Sequence, residues 1–232
     1  MTDEMRAAER LVRELAPPGL EIPIPEPLAL DESTWFLVAV DKGLIEFTRC
    51  PQTCECGSGG AIAARDHFVT SGGDARHLFE LHGGHPRLQR DYVPCLASYA
   101  RAVYDFAYDP ERASLLGRRP IRRLVNRHAS GSVHTDVAFA AADGAVHLQI
   151  KSLGDRQRTR RLATALDACG RRSGMTHELE REFDAALAGR PRFLWLVGPN
   201  SIDPARHVFE LSFTDGDVRF TRVDAVPVPA GE

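Results

Sequence analysis

The chain has 232 residues, 43% of them hydrophobic and 26% charged, with a net charge of −3. That balance suits a soluble globular protein of one or two domains, and no apolar run approaches the roughly 20 residues that span a bilayer. The start, Met1-Thr2-Asp3-Glu4, is acidic where a signal peptide is apolar, and the five cysteines are an odd number, so reduced thiols in a cytoplasm are expected rather than a disulfide framework.

Met5, Ala8, Leu11, Val12 and Leu15 fall at helical spacing over residues 3–15, and Pro17-Pro18-Gly19 stops them. Prolines at alternate positions between Glu21 and Leu28 predict an extended linker. Residues 35–40 and 44–47 flank Asp41-Lys42-Gly43, a pattern that predicts a hairpin. Cys50, Cys54 and Cys56 follow in a turn-rich loop. Thiolates this close could hold zinc with a distant fourth ligand, for which His67, His77 and Cys95 are candidates; free loop thiols are the alternative. A short helix is expected over residues 61–69 and a loop over His82-Gly83-Gly84-His85-Pro86. Pro94 suits the first turn of a helix whose stripe is Leu96, Tyr99, Ala100, Val103, Phe106 and Ala107. Residues 1–75 are thus read as one unit of helix, hairpin and cysteine loop, and residues 76–232 as the core, ending in a hairpin.

Residues 118–128 are basic and interleaved with Ile121, Leu124 and Val125, which predicts the first core strand. The centre of the pattern comes next. The runs 134–142 and 145–151 flank Asp143-Gly144, a strong two-residue hairpin signal. With that turn, Ala142 faces Ala145, Phe139 faces Leu148, Ala138 faces Gln149 and Asp136 faces Lys151. Val137, Phe139, Ala141, Val146, Leu148 and Ile150 form an apolar face, and Asp136, Gln149, Lys151 and His147 a polar one. Read as a surface, the polar face predicts changes of about 0.5 kcal/mol or less for substitutions there. The plain alternative is an ordinary half-exposed hairpin. Against it, the chain has 29 basic residues of which only Lys42 and Lys151 are lysine, and a compact ammonium does chemistry that a planar guanidinium cannot.

Downstream, a helix is expected over residues 156–169, with Leu162, Ala165, Leu166 and Cys169 inward. A second is expected over residues 177–188, capped by Thr176 and stopped by Gly189. Residues 192–197 read as a central strand, and 208–213 with 218–223 as a last hairpin. Charge is segregated along the chain. Residues 117–172 hold twelve basic and four acidic residues, a balance of +8, against 17 and 28, a balance of −11, elsewhere. A basic block in an acidic protein is the footprint expected for a polyanion, unless its arginines pair with acidic helices. The arginines concerned are Arg118, Arg119, Arg122, Arg123, Arg156, Arg158, Arg160 and Arg161.

An acid opening one strand, a turn, and Gln149-Ile150-Lys151 closing the next resemble the PD-(D/E)xK nuclease superfamily, most closely the QxK variant of Mrr-type restriction endonucleases. The resemblance covers about a third of the chain. It implies a mixed α/β, restriction-endonuclease-like core, a central mixed sheet flanked by helices, with an N-terminal extension. It also implies an endonuclease acting on DNA with Mg²⁺ or Mn²⁺, in restriction or phage defence, with a homodimer as one assembly. Asp136, the Gln149 amide and the Ile150 carbonyl would hold the metal, and Lys151 would orient water or stabilise the transition state. The family often carries a further acid near the preceding helix, and Glu80, Asp91 and Glu111 compete for that role. The alternatives weighed are a non-catalytic DNA-binding protein with helices 156–169 and 177–188 as helix-turn-helix, and a zinc-stabilised interaction module.

Overall fold

The computed structural model describes residues 1–16, 24, 27–48, 67–70, 75–82, 85–116, 136–171, 187, 189–200, 202–203, 205–215 and 217–229. The N-terminal helix α1 (Asp3–Glu14) is as expected. Thr2 caps it by accepting the Met5 N–H at 3.3 Å, and Ala8 and Val12 are buried on its apolar stripe. The expected hairpin at 35–47 is not formed. Leu30–Asp41 is instead a helix, α2, followed by strand β1 (Ile45–Thr48). Two causes are visible. Glu32 accepts the Ala29 N–H at 3.3 Å, closing the first turn, and α2 packs against both α1 and the next helix, so its apolar run needs no wet face. Gly43, at φ +69°, is the left-handed stop of this helix rather than a hairpin turn.

Strands β2 (His67–Thr70) and β3 (Ala75–His77) complete a small antiparallel sheet in the order β1-β2-β3. The helix expected over 61–69 therefore gives way, in its described part, to a strand. His-Phe-Val-Thr alternates in character and is rich in β formers. A separate hairpin joins β4 (Phe79–His82) and β5 (His85–Leu88). His82 pairs with His85, so of the loop expected over 82–86 the described residues His82, His85 and Pro86 lie in strands.

Helix α3 (Tyr92–Asp105) leads through a short 3-10 turn at Pro110–Arg112 into the main sheet. Its strands are β6 (Ala113–Leu116), β7 (Asp136–Ala140), β8 (Val146–Ser152), β9 (Phe193–Val197), β10 (Val208–Thr214) and β11 (Asp217–Val223), in the spatial order β11-β10-β9-β8-β7-β6. Every neighbouring pair is antiparallel except β8 and β9, which are parallel and need the long crossover that contains α4 (Arg156–Cys169). The fold is thus mixed α/β. The strand expected at 118–128 and most of the helix expected at 177–188 lie outside the described residues; among those described, β6 holds the edge beside β7.

The sheet is buried on both sides. Val137, Phe139, Leu148, Ile150 and Trp195 face α3 in a core shared with Val12 of α1 and Phe36 of α2. Leu194, Leu196, Phe209, Leu211 and Phe220 face the other way, against Leu162 and Leu166 of α4. Strand β9 feeds both cores with alternate residues, hence its unbroken apolar sequence. Asp155 caps α4 by accepting the Arg158 N–H at 2.8 Å, and Gly170, at φ +56°, ends it. The helix lies so close to the end of β9 that a Cβ on Gly198 would stand 2.2 Å from Thr159 Oγ1 and 2.9 Å from the Leu153 carbonyl. Gly198→Ala should therefore cost about 1–3 kcal/mol, as overpacking does, read as a lower urea midpoint.

Candidate functional site

The β7–β8 hairpin carries the register expected at its far end and not at its turn. Asp136 pairs with Lys151, Ala138 with Gln149 and Phe139 with Leu148, but Ala140 pairs with Val146. The connection has three residues rather than two. Gly144 N–H donates to the Ala141 carbonyl at 2.9 Å and Ala141 N–H to the Ala145 carbonyl at 2.8 Å, with Gly144 at φ +80°. This is the three-residue loop closed by a left-handed glycine. A bulge between Phe139 and Ala140 leaves His147 as the extra residue and restores the register beyond it.

The bulge exchanges two side chains between faces. A Cβ on Gly189 would meet Val146 Cγ2 at 3.2 Å and Gln149 Oε1 at 3.9 Å, so Val146 is on the Gln149 side. His147 lies on the apolar side instead of the polar one, its ring 5.9 Å from that of Tyr108 and 5.2 Å from that of Phe193. Burial, aided by the Arg192 charge, holds the His147 pKa below its ordinary value, and burial with the Arg222 charge does the same for His207. A histidine depressed in the fold takes up its proton first in the unfolded chain. Its stability contribution is complete above the unfolded value of about 6.5 and is lost as pH falls from there through the folded pKa. The urea midpoint should drop between pH 7.5 and pH 5.5, and less so in His147→Phe.

The polar face is not a surface. Gln149 is 0% exposed and Lys151 2%, and they share the side of Leu153, Leu194 and Leu196 that α4 covers. Substitutions at Lys151 therefore act on a buried site, which corrects the small stability change expected above. Asp136 enters through its backbone register alone, opposite Lys151. Among the described residues no three His, Cys, Asp or Glu side chains gather in one place.

Of the three acids Glu80, Asp91 and Glu111, one lies beside the strand end beyond Lys151. Ser152 Oγ donates to the Asp91 carbonyl at 2.6 Å, and a Cβ on Gly154 would lie 3.7 Å from Asp91 Cβ. Asp91, at the start of α3, is thus beside the end of β8. Glu80 sits on the separate β4–β5 hairpin. Glu111 precedes Ala113, which pairs with Phe139, whereas Asp136 pairs with Leu116 at the opposite end of β6. What fixes Asp91 lies far from it in the chain. Its neighbour Arg90 forms a buried bidentate ion pair with Glu32, whose second contact is Arg90 Nη2 to Glu32 Oε2 at 2.7 Å. The same carboxylate accepts the Asn200 N–H at 3.5 Å, tying α2, the start of α3 and the loop after β9 together.

Arg156, Arg158, Arg160 and Arg161 are exposed on α4, which starts four residues after Ser152. Arg118, Arg119, Arg122 and Arg123, and the cysteines at 50, 54 and 56, lie outside the described residues. Cys95 is fully buried in α3. Among the described residues no helix is long and apolar enough to cross a membrane. No protein-family model, curated protein or solved structure matches the chain.

Proposed function

We propose that this chain is a metal-dependent DNA endonuclease of the PD-(D/E)xK kind, of the class used in restriction and phage defence. One observation carries the reading: the register that pairs Asp136 with Lys151 and sets Gln149 two residues before it on the same side of β8. The order α3, β6, β7, β8, α4, β9 is helix, three strands, helix, strand, which is the order such a core requires. Asp91, beside the end of β8, is the further acid.

The carboxylates of Asp136 and Asp91, the amide oxygen of Gln149 and the carbonyl of Ile150 make an all-oxygen donor set, which suits Mg²⁺ or Mn²⁺. Such an ion would supply charge for the phosphoryl oxygens and lower the pKa of the attacking water. Lys151 then orients that water or offsets the negative charge that grows as the phosphodiester is attacked. With glutamine rather than an acid at position 149, metal affinity is expected to be weaker than with glutamate there.

Exposed arginines in the first turns of α4 oppose the helix dipole, a cost that phosphate contacts offset. Removing Arg156, Arg160 and Arg161 together should weaken binding equally for unrelated duplexes and flatten the log–log salt slope by about 2–3. An unchanged slope would mean that these side chains contact no phosphate.

The burial of Gln149 and Lys151 favours a second reading, a DNA-binding protein that retains the core without cutting. Incubation of duplex DNA with the purified chain and Mg²⁺ separates the two. Cleavage supports the first; binding without cleavage supports the second.

A further inference from the structure

The outer edge of the main sheet carries arginines of two kinds. Arg222 of β11 donates to Asp167 of α4 at 2.7 Å and also to the Arg206 carbonyl, so it ties the helix to the edge strand. Arg219, on the same strand, points to the opposite face, because successive residues alternate. Its outer partner is Arg171, the residue after the Gly170 that ends α4, in an isolated antiparallel bridge. The Phe220 N–H donates to the Gly170 carbonyl at 2.9 Å and anchors that bridge. Its inner partner is Ser212 of β10. Directly paired residues share a face, with Cβ atoms about 4.5–5.5 Å apart. Arg171, Arg219 and Ser212 thus stand in one row, and all three are exposed.

Like charges directly opposite each other on neighbouring strands are destabilising. Among the described residues neither guanidinium of this pair has a carboxylate within ion-pair distance. Two acids share the face and are turned elsewhere. Glu210, diagonal to Arg219, meets Arg192 at 3.5 Å, and Asp217 accepts the Val218 N–H at 2.9 Å. Two guanidiniums and a hydroxyl in one row are a set of donors that lacks an anion. The planar fork of arginine matches the oxygens of a phosphate two at a time.

We propose that Arg171, Arg219 and Ser212 bind a backbone phosphate of duplex DNA, as a contact remote from the site on β8. This rests on the DNA-binding part of the proposed function. The span fits a duplex. Lys151 is level with Leu196 of β9, whose N–H donates to the His207 carbonyl just before β10. Ser212 is five residues on from His207, and β11 is three strands across from β8. At about 3.4 Å per residue and about 4.8 Å per strand, the row is about 22 Å from Lys151. That is roughly six to seven base pairs of a duplex rising about 3.4 Å per pair. Helix α4 covers the same interval, from just after β8 to the bridge.

The test is fluorescence anisotropy of a labelled duplex of about 20 base pairs, long enough for that span, titrated with the full-length chain over a range of salt. Arg171→Ala/Arg219→Ala should lower the log–log salt slope by about 1–2 and weaken binding about tenfold near 0.1 M salt, equally for unrelated duplexes. Its urea midpoint should not fall, because the substitution removes a repulsion. Arg6→Ala/Arg10→Ala takes two exposed charges from α1 instead and should leave the slope unchanged. Should the double variant at the bridge fail to fold, modification of the wild-type chain by phenylglyoxal gives a separate readout. Bound duplex should shield Arg171 and Arg219 and leave Arg6 reactive. Duplex binding with an unchanged slope in Arg171→Ala/Arg219→Ala, or with no shielding of the pair, would overturn this contact and leave the DNA reading standing. A wild-type chain that binds no duplex would overturn both.

Discussion

Replacing Arg90 with methionine should lower stability by about 3–5 kcal/mol, the usual cost of leaving one partner of a buried ion pair without the other. Glu32 is 0% exposed, and its carboxylate faces the core between α2, α3 and the loop after β9. The Ala29 and Asn200 amides that also approach it are dipoles at 3.3 and 3.5 Å and do not replace a guanidinium. The double variant Glu32→Leu/Arg90→Met should recover most of that loss, since an apolar pair of similar volume is often no worse than a buried ion pair. Urea unfolding of the two single variants and the double variant gives the coupling energy directly. If the single losses simply add, the pair is not a coupled unit. Because Arg90 adjoins Asp91, which takes the Ser152 hydrogen bond, any surviving Arg90→Met protein should also bind metal more weakly.

Lys151→Met should lower cleavage by about 10²–10³, the range for removing one preorganised charge-stabilising group. Methionine is the informative choice because the site is buried. Alanine would remove most of a side chain that is 2% exposed, costing about 2–5 kcal/mol on packing grounds alone, and lost activity would then not be interpretable. Methionine keeps most of the stem volume and removes the ammonium. Asp136→Asn should lose cleavage by a different route, through metal affinity, so excess Mn²⁺ should restore part of the activity of Asp136→Asn and none of that of Lys151→Met.

Much of the fold is legible in the sequence where one period dominates. Helices α1, α3 and α4 show a clear apolar stripe, and β7 to β11 show alternation or a short continuous run between turn residues. Helix α2 packs on two sides, so the residues Trp35 to Val40 carry no helical period and resemble half a hairpin in the sequence. The hairpin register came out right beyond its turn because two errors cancel: the loop is one residue longer than Asp143-Gly144 implies, and the bulge at His147 takes that residue back. Alternation identified the polar face of β8 but could not say that it is covered. That followed from α4, whose inward Leu162 and Leu166 needed a surface to pack on. The Glu32–Arg90 pair spans 58 residues and has no local signature. The same is true of the approach of Asp91 to Ser152.

Asp136, Gln149 and Lys151 are proposed to work together on a phosphodiester, and the decisive measurement is cleavage of duplex DNA by the purified chain. The wild-type protein should cut with Mg²⁺ or Mn²⁺ and stop on chelation, Asp136→Asn and Lys151→Met should bind DNA but cut it far more slowly with Mg²⁺, and Gln149→Glu should cut at lower Mg²⁺ than the wild type. A folded wild-type chain that binds DNA, cuts it with neither metal and gains nothing from Gln149→Glu would contradict the claim.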